Sequence, residues 1–347
     1  MKRIGTAVIA TIASVALFAG PVLARERIHF IAADDVIWNY APQARDLISG
    51  KPLRPEGAAQ LGWVYHKAIY REYTDATFTK LIPIPPSDRY RGLVGPAIHA
   101  EVGDTIVVTF RNQTRLPVDI APTGVVSNPK PTAVKPGSTR TYRWLVTAAG
   151  GPAPADSSSI EWTYQSDVQQ GAVDSAALIG PLIITRRGSA RPDGSPADVD
   201  REIVTLFSSQ LEDQSQLIAE NLHDRVINPR GISSHAKSFF IDNAFPSING
   251  YVYGNMPIPT MLASSRVRWY LLSTMNGFDG HTPTWSGQTV IFQGNRSDAI
   301  GLVFRQAVVD MVPDNPGVWL MTCSDDIHLA LGMEARFKVL PFRTARR

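Results

Sequence analysis

The stretch Trp319-Leu-Met-Thr-Cys-Ser-Asp-Asp-Ile-His-Leu-Ala-Leu-Gly-Met333 carries three metal-seeking side chains at equal intervals. Cys323 is the only cysteine of the chain, His328 follows five residues on, and Met333 five further. One thiolate, one imidazole and one thioether in a tight loop between two apolar runs require both runs to be strands that converge on one point. Two His and one Cys in a trigonal plane, with a long axial Met, is the donor set of a blue copper ion. That set needs a second histidine from elsewhere, and His281 in Gly280-His-Thr-Pro-Thr-Trp-Ser-Gly287 is the best candidate. Each residue alone has a plainer reading: Cys323 as a small buried hydrophobe, Met333 as core filler, His328 as a surface group beside two aspartates. The conjunction favours copper.

The compartment points the same way. Lys2 and Arg3 precede the apolar run Ile4 to Phe18 and the small-residue end Val22-Leu23-Ala24, which predicts a secretory signal over 1–24 cleaved after Ala24. The expected location is therefore periplasmic or extracellular. A lone cysteine in an exported chain has no internal disulfide partner, so its thiol is buried, paired between chains or coordinated. The apolar run falls short of the ~20 residues needed to span a bilayer, and no later stretch is long and apolar enough. Loss of Lys2 and Arg3 lowers the formal charge of +3 to about +1, which gives no basis for nucleic-acid binding.

The remaining chain has the length of two domains of roughly 150 residues each. Short strands punctuated by Gly and Pro dominate, with no long helical periodicity. Gly95-Pro-Ala-Ile-His-Ala-Glu-Val-Gly-Asp-Thr-Ile-Val-Val-Thr-Phe-Arg111 reads as strand, Gly-Asp turn, strand. The turn-forming run Arg186 to Asp200 is the expected linker between domains at 25–187 and 201–347. In the second half the segment from Gln210 to Ser238 reads as loop or short helix, and a strand is expected over Val303 to Met311. A weak internal repeat sets Trp162-Thr-Tyr-Gln-Ser-Asp167 against Trp319 to Asp325, with Ser166 opposite Cys323. The expectation is an all-β chain of two tandem Greek-key β-sandwich or barrel domains from duplication, only the second with a metal loop.

On these residues the chain resembles the paired cupredoxin domains of ceruloplasmin-type multicopper oxidases, also seen in coagulation-factor A domains. Gly95 to Thr105, Leu178-Ile-Gly-Pro-Leu-Ile-Ile184, Asn249-Gly-Tyr-Val-Tyr-Gly-Asn255 and Cys-x4-His-x4-Met carry the likeness, which covers nearly the whole mature chain. The resemblance implies that His281, Cys323, His328 and Met333 match the mononuclear blue copper ligands. It also places the eight histidines of the family's three-copper cluster. They fall on Ala121 and Thr123, Gln165 and Asp167, Thr284 and Ser286, and Thr322 and Ser324, none of which is histidine. These side chains offer no comparable donor set for copper. His29, His66 and His99 read as non-ligands, and His223 and His235 as surface groups.

The leading expectation is one-electron transfer at a single blue copper ion, with a redox partner protein or a small electron donor or acceptor. The first alternative is a multicopper-oxidase-like oxidoreductase with an unrecognised or intersubunit second metal site. Another is a structural or copper-binding module. Two-domain relatives form trimers, so the resemblance also implies a homotrimer.

Overall fold

Alternation of apolar and polar residues dictates the sheets. Along Thr105–Gln113 every second side chain, Ile106, Val108, Phe110 and Asn112, is buried while its neighbours face outward, the signature of a strand lying on a core. The computed structural model describes residues 24–55, 57–168, 177–274, 280–302 and 306–342. The leader expected before Ala24 and the start of the strand expected from Val303 lie outside the described residues.

The N-terminal half contributes β1 (Glu26–Asn39), β2 (Val64–Tyr73), β3 (Ile98–Glu101), β4 (Thr105–Gln113), β5 (Ala121–Pro122), β6 (Val126–Asn128), β7 (Thr139–Leu145), β8 (Ser159–Gln165) and β9 (Ile179–Thr185). They form two sheets, in the orders β2-β1-β4-β7-β6 and β3-β9-β8-β5. Between them lies a core that includes Ile31, Phe110, Trp144, Tyr164 and Leu182.

The C-terminal half repeats this plan with β10 (Arg201–Leu211), β11 (Ala244–Ile248), β12 (Thr260–Leu262), β13 (Val267–Thr274), β14 (Pro283–Trp285), β15 (Val290–Phe292), β16 (Asn295–Ser297), β17 (Ala307–Met311), β18 (Gly317–Cys323) and β19 (Glu334–Leu340). Its sheets run β11-β10-β13-β17-β15-β16 and β12-β19-β18-β14. Trp269, Leu271, Val309, Met321 and Phe337 pack between them, together with Cys323 and Met333. The parallel pairs correspond one to one: β1 with β4 and β10 with β13, then β3 with β9 and β12 with β19. The architecture is all-β, a tandem of cupredoxin-like half-barrels.

Among the described residues three short α-helices interrupt the strands: α1 (Ile218–His223) and α2 (Phe239–Asp242) in the long β10–β11 connection, and α3 (Asp326–Ala330) between β18 and β19. The tight loop expected around His328 takes the form of a helical turn, because the Asp325 carboxylate accepts the Ile327 and His328 amides at 3.0 and 3.1 Å and so nucleates a capped turn.

The two sandwiches meet along a buried, largely apolar seam. Strand β9 is buried on both faces, which is why Ile179-Gly-Pro-Leu-Ile-Ile184 reads as a continuous apolar run rather than an alternating one. Ile179, Ile183 and Val94 meet Val204, Leu206, Tyr270 and Leu272. Fully burying an aliphatic side chain contributes about 1.5–3 kcal/mol, so this seam holds the halves firmly together. Several polar groups inside it are paired: Arg268 donates to Asp310 at 2.6 Å and to Ser159 at 2.8 Å, and Tyr270 donates to Glu202 at 2.8 Å. A second junction buries the Lys67–Glu212 ion pair, 2.6 Å apart, among Tyr40, Tyr65 and Phe245.

Candidate metal centre

The centre is built where β18 ends. Pairing of β14 with β18 sets Pro283 opposite Cys323, so the residues just before β14 run beside the cysteine. Pairing of β18 with β19 sets Thr322 opposite Glu334, which brings the start of β19 alongside as well. The Cys323 amide donates to the Met333 carbonyl at 3.1 Å, and the Met333 amide donates to the His328 carbonyl at 2.9 Å. The hairpin therefore folds His328 and Met333 back onto Cys323. His281 arrives from the other side, held by a 2.7 Å hydrogen bond from the Leu302 amide to its carbonyl.

The structure brings three of the four expected residues into one ligand-sized group. The ligand atoms of His281, Cys323 and His328 all lie within 4.8 Å of one another, and all three residues are buried. The two imidazoles are 4.9 Å apart between centroids, and His328 Nδ1 is 3.5 Å from Cys323 Sγ. Met333 is fully buried in the same core cluster as Cys323.

The electrostatics suit a soft cation. Burial alone would push the Cys323 thiol up. Hydrogen bonds from His281 and His328, and from the Thr282 and Asp325 backbone amides, outweigh that effect and bring it down to about 6. Thr282 N lies 3.3 Å from the sulfur. A thiolate favoured at neutral pH, two imidazoles within reach and a thioether in the same core match the donor chemistry of a copper ion. When bound, copper would supply a one-electron couple. The chain would hold it with His281, Cys323, His328 and Met333 and keep water away by burial.

Four of the remaining five histidines lie within hydrogen-bond reach of another side chain. His29 pairs with Glu72 at 2.7 Å, His66 with Asp224 at 3.0 Å and His99 with Glu202 at 3.2 Å. His223 closes α1, and His235 lies exposed next to Ser234. The eight cluster positions serve the sheets. Thr284 and Thr322 face each other across β14 and β18 with hydroxyls 2.8 Å apart, and Ser286 accepts the Leu320 amide at 2.8 Å. On the N-terminal side Thr123 donates to the Thr163 carbonyl at 3.1 Å, and Gln165 donates to Asp167 at 3.0 Å.

Reasoning from the sequence missed the supports of the centre. The Thr282 amide aimed at the sulfur is a backbone group and leaves no sequence signal. Phe207 lies 6.3 Å from the His281 ring between centroids, and it comes from β10, far away in the chain. Tyr253 packs on the turn before Met333, and nothing in its own stretch, Asn249 to Asn255, points toward the centre.

A family model described as multicopper oxidase matches residues 267–343, which span Cys323, His281 and Met333. Mouse Ferroxidase HEPHL1 is 33% identical over 92% of this chain and 30% of its own length. Human Ceruloplasmin is 33% identical over 90% of this chain and 32% of its own, and human Hephaestin 32% identical over 90% and 29%. The chain thus spans about three tenths of the length of the curated relatives it matches. Among solved structures, one described as a multicopper oxidase superposes with a TM-score of 0.57 at 17% identity, covering 90% of this chain and 89% of that one. The Blue Copper Oxidase from Nitrosomonas europaea gives 0.56 at 15%, covering 91% and 86%, a likeness of fold. The paired half-barrels, the His–Cys–His group and this run of relatives place the chain in the ceruloplasmin-like multicopper oxidase family.

Proposed function

We propose that this protein is an exported one-electron carrier with a single blue copper ion on His281, Cys323, His328 and Met333. The observation that carries the reading is the buried group of His281, Cys323 and His328, with ligand atoms within 4.8 Å. A soft thiolate in a dry, constrained site lets an ion exchange one electron with little rearrangement, and its potential responds to the axial ligand and local polarity. Export rests on the leader over 1–24. No helix among the described residues is long and apolar enough to cross a membrane.

The path for electrons is the His328 edge. Its neighbours on α3 are apolar and open to solvent: Ile327 is 70% and Leu329 40% exposed, while Leu331 is half-buried. A small apolar patch around a ligand suits brief docking of a redox partner, since such contacts bury less than ~1,200 Å² in total.

The test is a metal analysis with a visible spectrum of the purified mature chain. One copper per chain with intense absorption is expected. A colourless protein that takes up no copper overturns the reading.

A second reading, an oxidase, draws on the relative named a ferroxidase. It would need a second metal site, formed against another copy of the chain. The eight positions from Ala121 to Ser324 offer hydroxyl, amide, carboxylate and methyl groups there, so oxygen uptake with phenols, ferrous or cuprous ion should be negligible. Multiple-turnover uptake with more than one copper per chain favours the oxidase. The homotrimer belongs to both readings, and sedimentation of a monomer at micromolar concentration contradicts it.

A further inference from the structure

The turn that carries His328 to Met333 is braced from outside by one aromatic side chain. A Cβ on Gly332, which has φ +91°, would meet the Tyr253 ring at 2.7–2.8 Å, so the ring lies directly against that backbone. The Tyr253 amide donates to the Gly332 carbonyl at 2.8 Å, and the next amide, of Gly254, donates to the Glu334 carbonyl at 3.0 Å. The Tyr253 phenol donates to the Ala330 carbonyl at 3.3 Å. These contacts bracket Met333 on both sides and reach the end of the helix that carries His328.

Tyr253 itself is held in an unfavourable conformation. Its φ is +51°, the left-handed region that a bulky L-residue avoids unless its surroundings over-determine it. The surroundings come from the N-terminal half. The Leu47 amide donates to the Tyr253 carbonyl at 3.0 Å. Trp63 stands edge-on to the Tyr253 ring, 5.9 Å between centroids at 90°. Asn255 is tied to the same segment, accepting from Gln43 at 3.1 Å and donating to the Arg45 carbonyl at 2.8 Å.

We infer that Tyr253 is a positioning residue for the metal centre, through which the N-terminal half sets the placement of His328 and Met333. The inference rests on the copper reading above. The ring fixes how closely the turn Leu331-Gly332 approaches the core, and thereby the reach of the thioether and the angle of the imidazole. Trp63 and Leu47 fix the ring. Supports of this kind govern affinity and electronic character without touching the ion.

Three variants test it, read by the visible and electron-paramagnetic-resonance spectra, the midpoint potential, and the rate of copper release to a chelator. Tyr253→Gly removes the ring and tolerates the left-handed φ, so the turn itself can persist. Its spectrum should shift, and copper release should quicken about 10-fold, at the lower end of the 10–100-fold range for outer supports of a metal site. Tyr253→Phe keeps the ring and should restore the parental spectrum. A spectrum as displaced as that of the glycine variant overturns the role given to the ring. Trp63→Ala, which touches neither the turn nor Tyr253 covalently, should shift spectrum and potential in the same direction by a smaller amount. If Tyr253→Gly does not fold, Trp63→Ala carries the test. A folded variant with parental spectrum, potential and release rate overturns the inference, whereas a parent chain that takes up no copper overturns the copper reading itself.

Discussion

The two sandwiches end in the same backbone arrangement and hold opposite chemistry. In the C-terminal half the Cys323 amide donates to the Met333 carbonyl at 3.1 Å, and the Thr282 amide points at the Cys323 sulfur from 3.3 Å. In the N-terminal half the Ser166 amide donates to the Leu178 carbonyl at 3.1 Å, and the Asp119 amide points at the Ser166 hydroxyl from 3.3 Å. His281 bridges to Leu302 where Val118 bridges to Val134. The residue opposite His281 is thus Val118, opposite Cys323 is Ser166, and opposite Met333 is Leu178. Residues 167–177 contain no histidine to stand for His328. The fold supplies the converging strands in both halves, and only the side chains decide whether that convergence is a metal site or a patch of core. In the N-terminal half it is core: Val118 and Leu178 are buried in its main cluster, and Ser166 donates to the buried Asp119 at 2.9 Å.

The sharpest way to break the comparison is to make the C-terminal end resemble its counterpart. Cys323→Ser should abolish the charge-transfer colour, since a serine hydroxyl is hard and poorly ionised where a soft thiolate is needed. A blue band surviving in the purified variant would show that the ligand assignment is wrong.

The outer faces of the two equivalent sheets differ as well. Val318 on β18 is 54% exposed, while the matching Glu161 on β8 is 3% exposed against the C-terminal half. Burial pushes the Glu161 carboxyl well above the ordinary carboxylate range, and among the described residues neither of its oxygens has a hydrogen-bond partner. A folded state that holds this proton more tightly than the unfolded chain loses stability as pH rises above the ordinary glutamate value. The slope approaches ~1.4 kcal/mol per pH unit until the folded pKa is passed. Glu161→Gln should flatten that fall. Urea unfolding of both proteins at stepped pH measures it, and parallel curves would remove Glu161 as the cause.

Installing the thiol in the N-terminal half probes the converse. Ser166→Cys should give no second colour and no second copper, because Val118 and Leu178 offer no donors. Its stability loss should be about 1 kcal/mol, the worth of the hydrogen bond withdrawn from Asp119. A second blue band on copper titration would show that converging strands and a thiol suffice.

The smallest effect concerns the exposed end of the centre, which has no described counterpart. Leu329→Glu should leave spectrum and potential alone and slow electron exchange with a partner, because a rim charge acts mainly on encounter. A moved potential with unchanged exchange would make the patch a cover rather than a docking surface.

Much of this was legible along the chain. Cys323, His328 and Met333 lie within eleven residues of one another on a single hairpin, so local spacing sufficed to mark them. The all-β class followed from alternation such as that of Thr105–Gln113 and from turn residues. The helical turn at Asp326–Ala330 was not read, although Asp325 is a good N-cap, because five residues are too few to show a helical period. The exposure of Ile327 is hidden in the sequence for the same reason, since without the turn there is no face to assign it to.

What the sequence determined by itself, then, is the donor chemistry and the duplicated strand plan, because both depend on residue type and short-range periodicity. The sequence could offer His281 as the second histidine, but tertiary structure alone brings it to the cysteine, through the β14–β18 register. It alone lowered the Cys323 thiol to about 6, through groups 41 or so residues away in the chain as well as near ones. It alone put Trp63 and Leu47 of one half behind Tyr253 of the other. Contacts of this kind join segments that share no local pattern, and only the packing of two sandwiches against each other brings them within reach.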